Sequence, residues 1–238
     1  MKKKIRAVYI IDASGSMGGQ RTQTIEGFQQ DILNLVEEEK KFGNIEYWVT
    51  VVTFNVKYQV VADNVRLTDL LDFDFGAVYA PMGGTALNQT VGEVLEKIDP
   101  NEKNVLVTIM TDGEETSSVG EYANVSTLKS LITDCEKRKW AFIFLGANLD
   151  TQGEARSRGV SNFMSFDASD MSQAYTANRN SRVSYTCSVS NPEQFGASAS
   201  NLTRGVTDAK SLKKKSLDDL ILENVAYNQT VNDTTTNT

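Results

Sequence analysis

The chain of 238 residues contains no histidine at all. That absence excludes Ser-His-Asp and Cys-His nucleophilic catalysis and removes the commonest zinc ligand. Cysteine is nearly missing too: Cys135 and Cys187 stand far apart, in no C-x-x-C pair. Such spacing is not a disulfide framework and points to reduced thiols in a cytoplasmic setting. There is no basic excess, since 24 Lys and Arg face 31 Asp and Glu for a net charge of −7. A nucleic-acid partner usually calls for a basic face, so none is expected. No apolar run approaches the roughly 18 residues of a membrane span. The N-terminal Met1-Lys2-Lys3-Lys4 is followed by an apolar stretch that is too short for a signal segment and ends in Asp12.

What the chain has is oxygen at the ends of apolar runs. Val8-Tyr9-Ile10-Ile11 stops at Asp12, and Ser14 and Ser16 follow around Gly15. A buried strand that ends this way delivers a carboxylate and two hydroxyls into one small space. With no nitrogen or sulfur in it, that set suits a hard cation, Mg²⁺ ahead of Ca²⁺ or Mn²⁺. A second apolar run, Asn104 to Thr111, ends at Asp112. Between the two lies Pro81-Met82-Gly83-Gly84-Thr85, in which paired glycines precede a hydroxyl at the mouth of a helix.

Strand-like and helix-like stretches alternate along three quarters of the length. Strands are expected over 5–11, 46–54, 57–62, 104–111, 140–146 and 162–166. Helices are expected over 21–41, 86–98, 125–139, 151–158 and 169–179, with a short one near 67–72. The two-residue link Asn55-Val56 makes one antiparallel pair. The remainder predicts an α/β doubly wound, mostly parallel six-stranded sheet, with one antiparallel edge strand and helices on both faces. In such a sheet ligands gather at the carboxyl ends of strands beside the topological switch point. Asp12 and Asp112 would meet there if their strands are neighbours.

After about residue 180 Ser, Asn, Thr and Gly dominate. The expected organisation is therefore one domain over 1–180 and a polar extension over 181–238. That extension holds one amphipathic helix (216–226), with Leu217, Leu220, Ile221 and Val225 on one face and Ser216 as its cap. The run Lys213-Lys214-Lys215 reads as a solvated face, and the last residues, Asn232 to Thr238, as disordered.

Asp12-x-Ser14-x-Ser16, Gly84-Thr85 and Thr111-Asp112-Gly113 together resemble the three metal-site loops of von Willebrand factor type A domains. The resemblance covers roughly residues 4–179 and implies a Rossmann-like fold with a metal-ion-dependent adhesion site. It implies Ser14, Ser16 and Thr85 as direct ligands of Mg²⁺, with Asp12 and Asp112 acting through bound water. An Asp or Glu carboxylate of a protein partner would complete the octahedron. Glu114 and Glu115 follow Asp112 and, with Met17 and Gly84, are candidates for the partner-binding rim. For the glutamates the competing reading is solvated loop charge; for Met17 it is ordinary packing.

The main expectation is thus a non-enzymatic protein-binding module. An alternative is a structural component of a phage particle or bacterial assembly, in the host cytoplasm or virion. Members of the family inside bacterial cells also work with AAA-type ATPases. A metal-dependent phosphotransferase is the third reading. Haloacid-dehalogenase-type phosphatases also place an Asp after the first strand, but they need a second Asp two residues on, where this chain has Ser14.

Overall fold

The structure is a computed structural model and describes residues 1–147, 150–167, 170–195 and 215–235. Six strands form one sheet: β1 (Lys3–Asp12), β2 (Ile45–Phe54), β3 (Tyr58–Arg66), β4 (Val105–Thr111), β5 (Ala141–Ala147) and β6 (Phe163–Phe166). Their spatial order is β3-β2-β1-β4-β5-β6. Only β3, at one edge, runs antiparallel to its neighbour, through the predicted tight link at Asn55-Val56. All other pairings are parallel.

The alternation within β1 shows why its sequence is apolar from Ala7 to Ile11. Ile5, Ala7, Tyr9 and Ile11 enter a core on one face, and Val8 and Ile10 enter a second core on the other. Both faces of a central parallel strand are covered, so both registers of the pleat are apolar here, and the one charge buried near the strand's start, Arg6, is paired with Asp63 and Glu102. The first core is closed by α1 (Arg21–Phe42) and α5 (Met171–Ser190). The second is closed by α2 (Leu87–Glu96) and α3 (Val125–Lys137), with α4 (Thr151–Ser157) adding Ala155. A short helix, α6 (Pro192–Phe195), and a 19-residue one, α7 (Leu217–Thr235), complete the order. The segment expected as a helix near 67–72 is a single 3₁₀ turn, Leu67–Leu70.

The boundary expected at residue 180 falls inside α5, which runs on without a break to Ser190. Its second half is polar in sequence yet buried in space. Arg182 is 1% exposed, and Asn178, Thr186 and Cys187 are buried with it. Arg182 Nη1 donates to Asp31 Oδ2 at 2.6 Å, and Nη2 donates to Glu38 Oε1 at 2.8 Å; both acids sit on α1. Tyr9 Oη and Asn178 Nδ2 also donate to Asp31 Oδ2, and Tyr47 Oη donates to Glu38 Oε2. The stretch looks like a linker because its inward face mixes a few apolar side chains, such as Val183 and Tyr185, with buried polar groups satisfied by ion pairs and hydrogen bonds.

In α7, Leu220 is buried against Val183 and Cys187 of α5, with Leu217, Ile221 and Val225 packed around them. The Ser216 hydroxyl accepts the Asp219 N–H, as a cap does. The helix continues to Thr235, so residues 232–235, expected to be disordered, are helical. Residues 236–238 lie outside the described residues, as do Lys213 and Lys214. Lys215 pairs with Glu223 at 2.6 Å.

Candidate metal centre

β1 and β4 are sheet neighbours with Ile11 opposite Met110, and β1 lies between β2 on one side and β4 on the other, where the winding of the sheet reverses. Asp12 and Asp112 therefore leave adjacent strands at the switch point. Asp12 is fully buried. Its Oδ1 accepts the Ser14 N–H at 2.6 Å, and its Oδ2 accepts the Thr111 hydroxyl at 2.6 Å. Thr111 in turn accepts the Gly113 N–H at 3.1 Å, and Tyr79 Oη donates to the Asp12 carbonyl at 2.7 Å. One strand end thus has both carboxylate oxygens and its backbone carbonyl held by hydrogen bonds.

The hydroxyls line up beside it. Ser14 Oγ lies 3.0 Å from Ser16 Oγ, which donates to Asp112 Oδ1 at 2.7 Å. The Thr85 loop is stitched to the first loop by Gly15 N–H to the Gly83 carbonyl (2.9 Å) and Met82 N–H to the Ala13 carbonyl (2.8 Å). A methyl carbon placed on Gly113 would stand 3.2 Å from Thr85 Oγ1, 3.6 Å from Ser16 Oγ and 3.9 Å from Asp12 Oδ2. Oxygens from the first two loops therefore surround the position of Gly113 on the third.

This donor set fits a small hard cation. The 3.0 Å spacing of the Ser14 and Ser16 hydroxyls is close to the edge of about 2.9 Å of an octahedron whose ligands lie at about 2.0–2.1 Å. Burial pushes the Asp12 carboxyl up to about 6, against the opposing hydrogen bonds from Thr111 and Ser14 and with some help from the Asp112 charge. Burial also raises Asp112, against the hydrogen bond from Ser16. Two carboxylates held beside each other with raised proton affinity favour a cation between them. Among the described residues, no three His, Cys, Asp or Glu side chains gather as a metal cluster, in keeping with a site richer in hydroxyls than carboxylates.

This architecture is that of a von Willebrand factor type A domain. Comparison with solved structures rests on shape rather than sequence. The von Willebrand factor type A protein from Catenulispora acidiphila superposes with a TM-score of 0.55 at 16% identity, covering 77% of this chain and 43% of that one. The von Willebrand domain of the type V pilus tip protein Mfa5 from Porphyromonas gingivalis gives 0.54 at 11% identity, over 76% of this chain and 96% of that one. Proximal thread matrix protein 1 from the mussel byssus, solved with a zinc-occupied metal-ion-dependent adhesion motif, gives 0.51 at 14% identity over 73% of this chain. The chain spans 44% of that mussel protein's length. No protein-family profile and no curated protein matches the sequence.

Within the type A frame, the five expected ligand positions come together, but the expected rim needs two corrections. Met17 is 0% exposed, because the 3₁₀ turn Gly15–Gln20 swings it into the core beneath α1, out of a partner's reach. Glu115 is half-buried and turned inward, where it accepts the N–H groups of Asn88, Ser117 and Ser118 and the Ser118 hydroxyl. Glu114 is exposed, and Gly84 lies at the mouth under the Ser117 hydroxyl, which a side chain at position 84 would overlap. Val56 and Met82, both exposed, border the same mouth and were missed in the sequence; only folding sets the β2–β3 turn beside Gly84. The role of Thr111 was also hidden, although a threonine closing an apolar strand next to an aspartate is its signal.

Proposed function

We propose that the protein is a Mg²⁺-dependent binding module that captures an Asp or Glu carboxylate of a protein partner. The observation that carries this reading is the convergence of Ser14, Ser16, Thr85, Asp12 and Asp112 from three loops at the switch point. Ser14, Ser16 and Thr85 would hold the ion directly, and Asp12 and Asp112 would hold its waters. A bound Mg²⁺ supplies Lewis-acid attraction for one more oxygen ligand. Neutral hydroxyls next to the ion leave that attraction unquenched, whereas aspartates in their place would neutralise it. The exposed position of Ser16 leaves the site open on the side where a partner would approach.

Binding rather than catalysis follows from the same residues. The position where an acid/base Asp would serve a phosphotransferase is Ser14, whose hydroxyl is engaged with Ser16. Free, buried thiols at Cys135 and Cys187 fit a reducing compartment such as the cytoplasm. Among the described residues no helix is long and apolar enough to cross a membrane. The named roles of the pilus tip and byssus proteins keep an assembly component as the second reading.

Titration calorimetry with Mg²⁺ and Mn²⁺ tests the site, and partner capture from the native cell, with Mg²⁺ or with excess EDTA, tests its use. Wild type is expected to bind one ion and to retain a partner only with metal, while Asp12→Ala and Thr85→Ala lose both. Capture that persists in EDTA would point to the assembly reading, and phosphatase activity requiring Asp12 would refute both.

A further inference from the structure

Thr85 is a candidate ligand whose own segment does little to hold it. The helix that follows, α2, has Ala86 at its N-cap, with no side chain to cap it and no acid in its first turn. A helix start left that way has bare N–H groups and a positive end. That positive end lies two residues from the Thr85 hydroxyl and opposes any cation held there.

The missing parts come from the loop behind Asp112. Glu115 Oε2 accepts the Asn88 N–H at 2.7 Å, so a carboxylate from a distant loop caps α2. Ser118 Oγ accepts the Gln89 N–H at 2.9 Å. Thr116 holds the backbone of Thr85 itself. Its hydroxyl accepts the Thr85 N–H at 2.9 Å, and the Thr116 and Ser117 N–H groups donate to the Thr85 carbonyl at 2.9 and 3.1 Å. With both its backbone groups taken, Thr85 keeps only its hydroxyl for the site. Glu115 has spent its oxygens on the cap and on its own loop.

We infer that Glu115 and Thr116 are positioning residues for the metal, clamping Thr85 to the Asp112 loop so that the two halves of the site move as one unit. Glu115 has a second effect, because its charge offsets the positive end of α2 beside the cation. This rests on the proposed metal-binding reading and assigns to Glu115 a task other than steering a partner.

The test is Mn²⁺ affinity of the full chain at 15 °C, by calorimetry and by the spin-resonance signal of free Mn²⁺, with the metal-free melting temperature recorded for each variant. Glu115→Gln is expected to weaken binding about three- to tenfold, the size of a carboxylate's effect at a helix N-terminus. Thr116→Val should weaken it similarly, and Thr116→Ser, which keeps the hydroxyl, should bind as wild type does. Glu114→Gln, an exposed charge in the same loop, should change affinity less than twofold, and 0.5 M salt should not abolish the Glu115→Gln loss. A purely structural role would lower the melting temperature while leaving the affinity of the folded variants unchanged, and that result overturns the inference. Equal losses from Glu114→Gln and Glu115→Gln overturn it too, by reducing it to general surface charge. If Thr116→Val still binds as wild type does, the clamp is refuted while the metal site stands. If wild type binds no Mn²⁺, the proposed function itself falls.

Discussion

Replacing Arg182 by Met would test whether the last helix of the sheet is held by charge. In the folded chain Arg182, Asp31 and Glu38 are 1%, 0% and 0% exposed, and the guanidinium reaches both acids. Burial opposes its charge while Asp31 and Glu38 favour it, and the net result holds Arg182 firmly protonated. Methionine keeps an unbranched stem of similar reach but removes the cation, so two carboxylates are left buried without a counter-ion. Breaking a buried pair in this manner costs about 3–5 kcal/mol. Against a total stability of about 5–15 kcal/mol, that is a large share. At about 2–4 °C per kcal/mol for a chain of this size, melting should fall by roughly 6–20 °C.

Urea unfolding followed by circular dichroism would measure the loss, with calorimetry as a second reading. Adding Asp31→Asn and Glu38→Gln should recover part of the loss, because neutral amides need no cation. A loss below about 1 kcal/mol, well short of the buried-pair range, would refute the reasoning. So would a gap that does not respond to the two added substitutions.

Two further outcomes follow from the same geometry. Because burial raises Asp12 to about 6 in the folded chain, its contribution to metal-free stability is full at low pH and is lost as pH rises through about 6. That loss is at most about 3 kcal/mol at 1.36 kcal/mol per unit. Metal-free melting should therefore drop between about pH 4 and 6.5 in wild type but not in Asp12→Asn, and Mg²⁺ affinity should weaken below pH 6, where protons compete. Gly27 of α1 lies under the Tyr175 ring of α5, and an added methyl would overlap it. Gly27→Ala should thus cost about 1–3 kcal/mol by overpacking, despite alanine's better helix propensity, and a stable variant in urea unfolding would contradict that placement.

Legibility in the sequence followed what had to be buried. β1 and β4 are covered on both faces, so their apolar runs stand out, and the oxygens that end them are conspicuous. The antiparallel edge was legible because Asn55-Val56 is too short for any crossover. The second half of α5 was not, because Arg182 and Thr186, buried there, break the apolar period that marks a helix. Met17 was ambiguous because a 3₁₀ turn rotates side chains differently from the strand before it. Glu115 looked like surface charge because the helix it caps begins 28 positions earlier in the chain, at Leu87.

The sequence by itself determined the chemistry of the site: carboxylates and hydroxyls, no imidazole, each placed where an apolar run or a glycine pair ends. Only the tertiary structure decided which of those oxygens meet, and what holds them there. Strand order brings Asp12 beside Asp112, and a remote loop ties Thr85 to both. The physical reason is that burial and backbone period are local in the chain. The partners of a helix end, a buried ion or a ligand oxygen are chosen by packing between segments far apart in it.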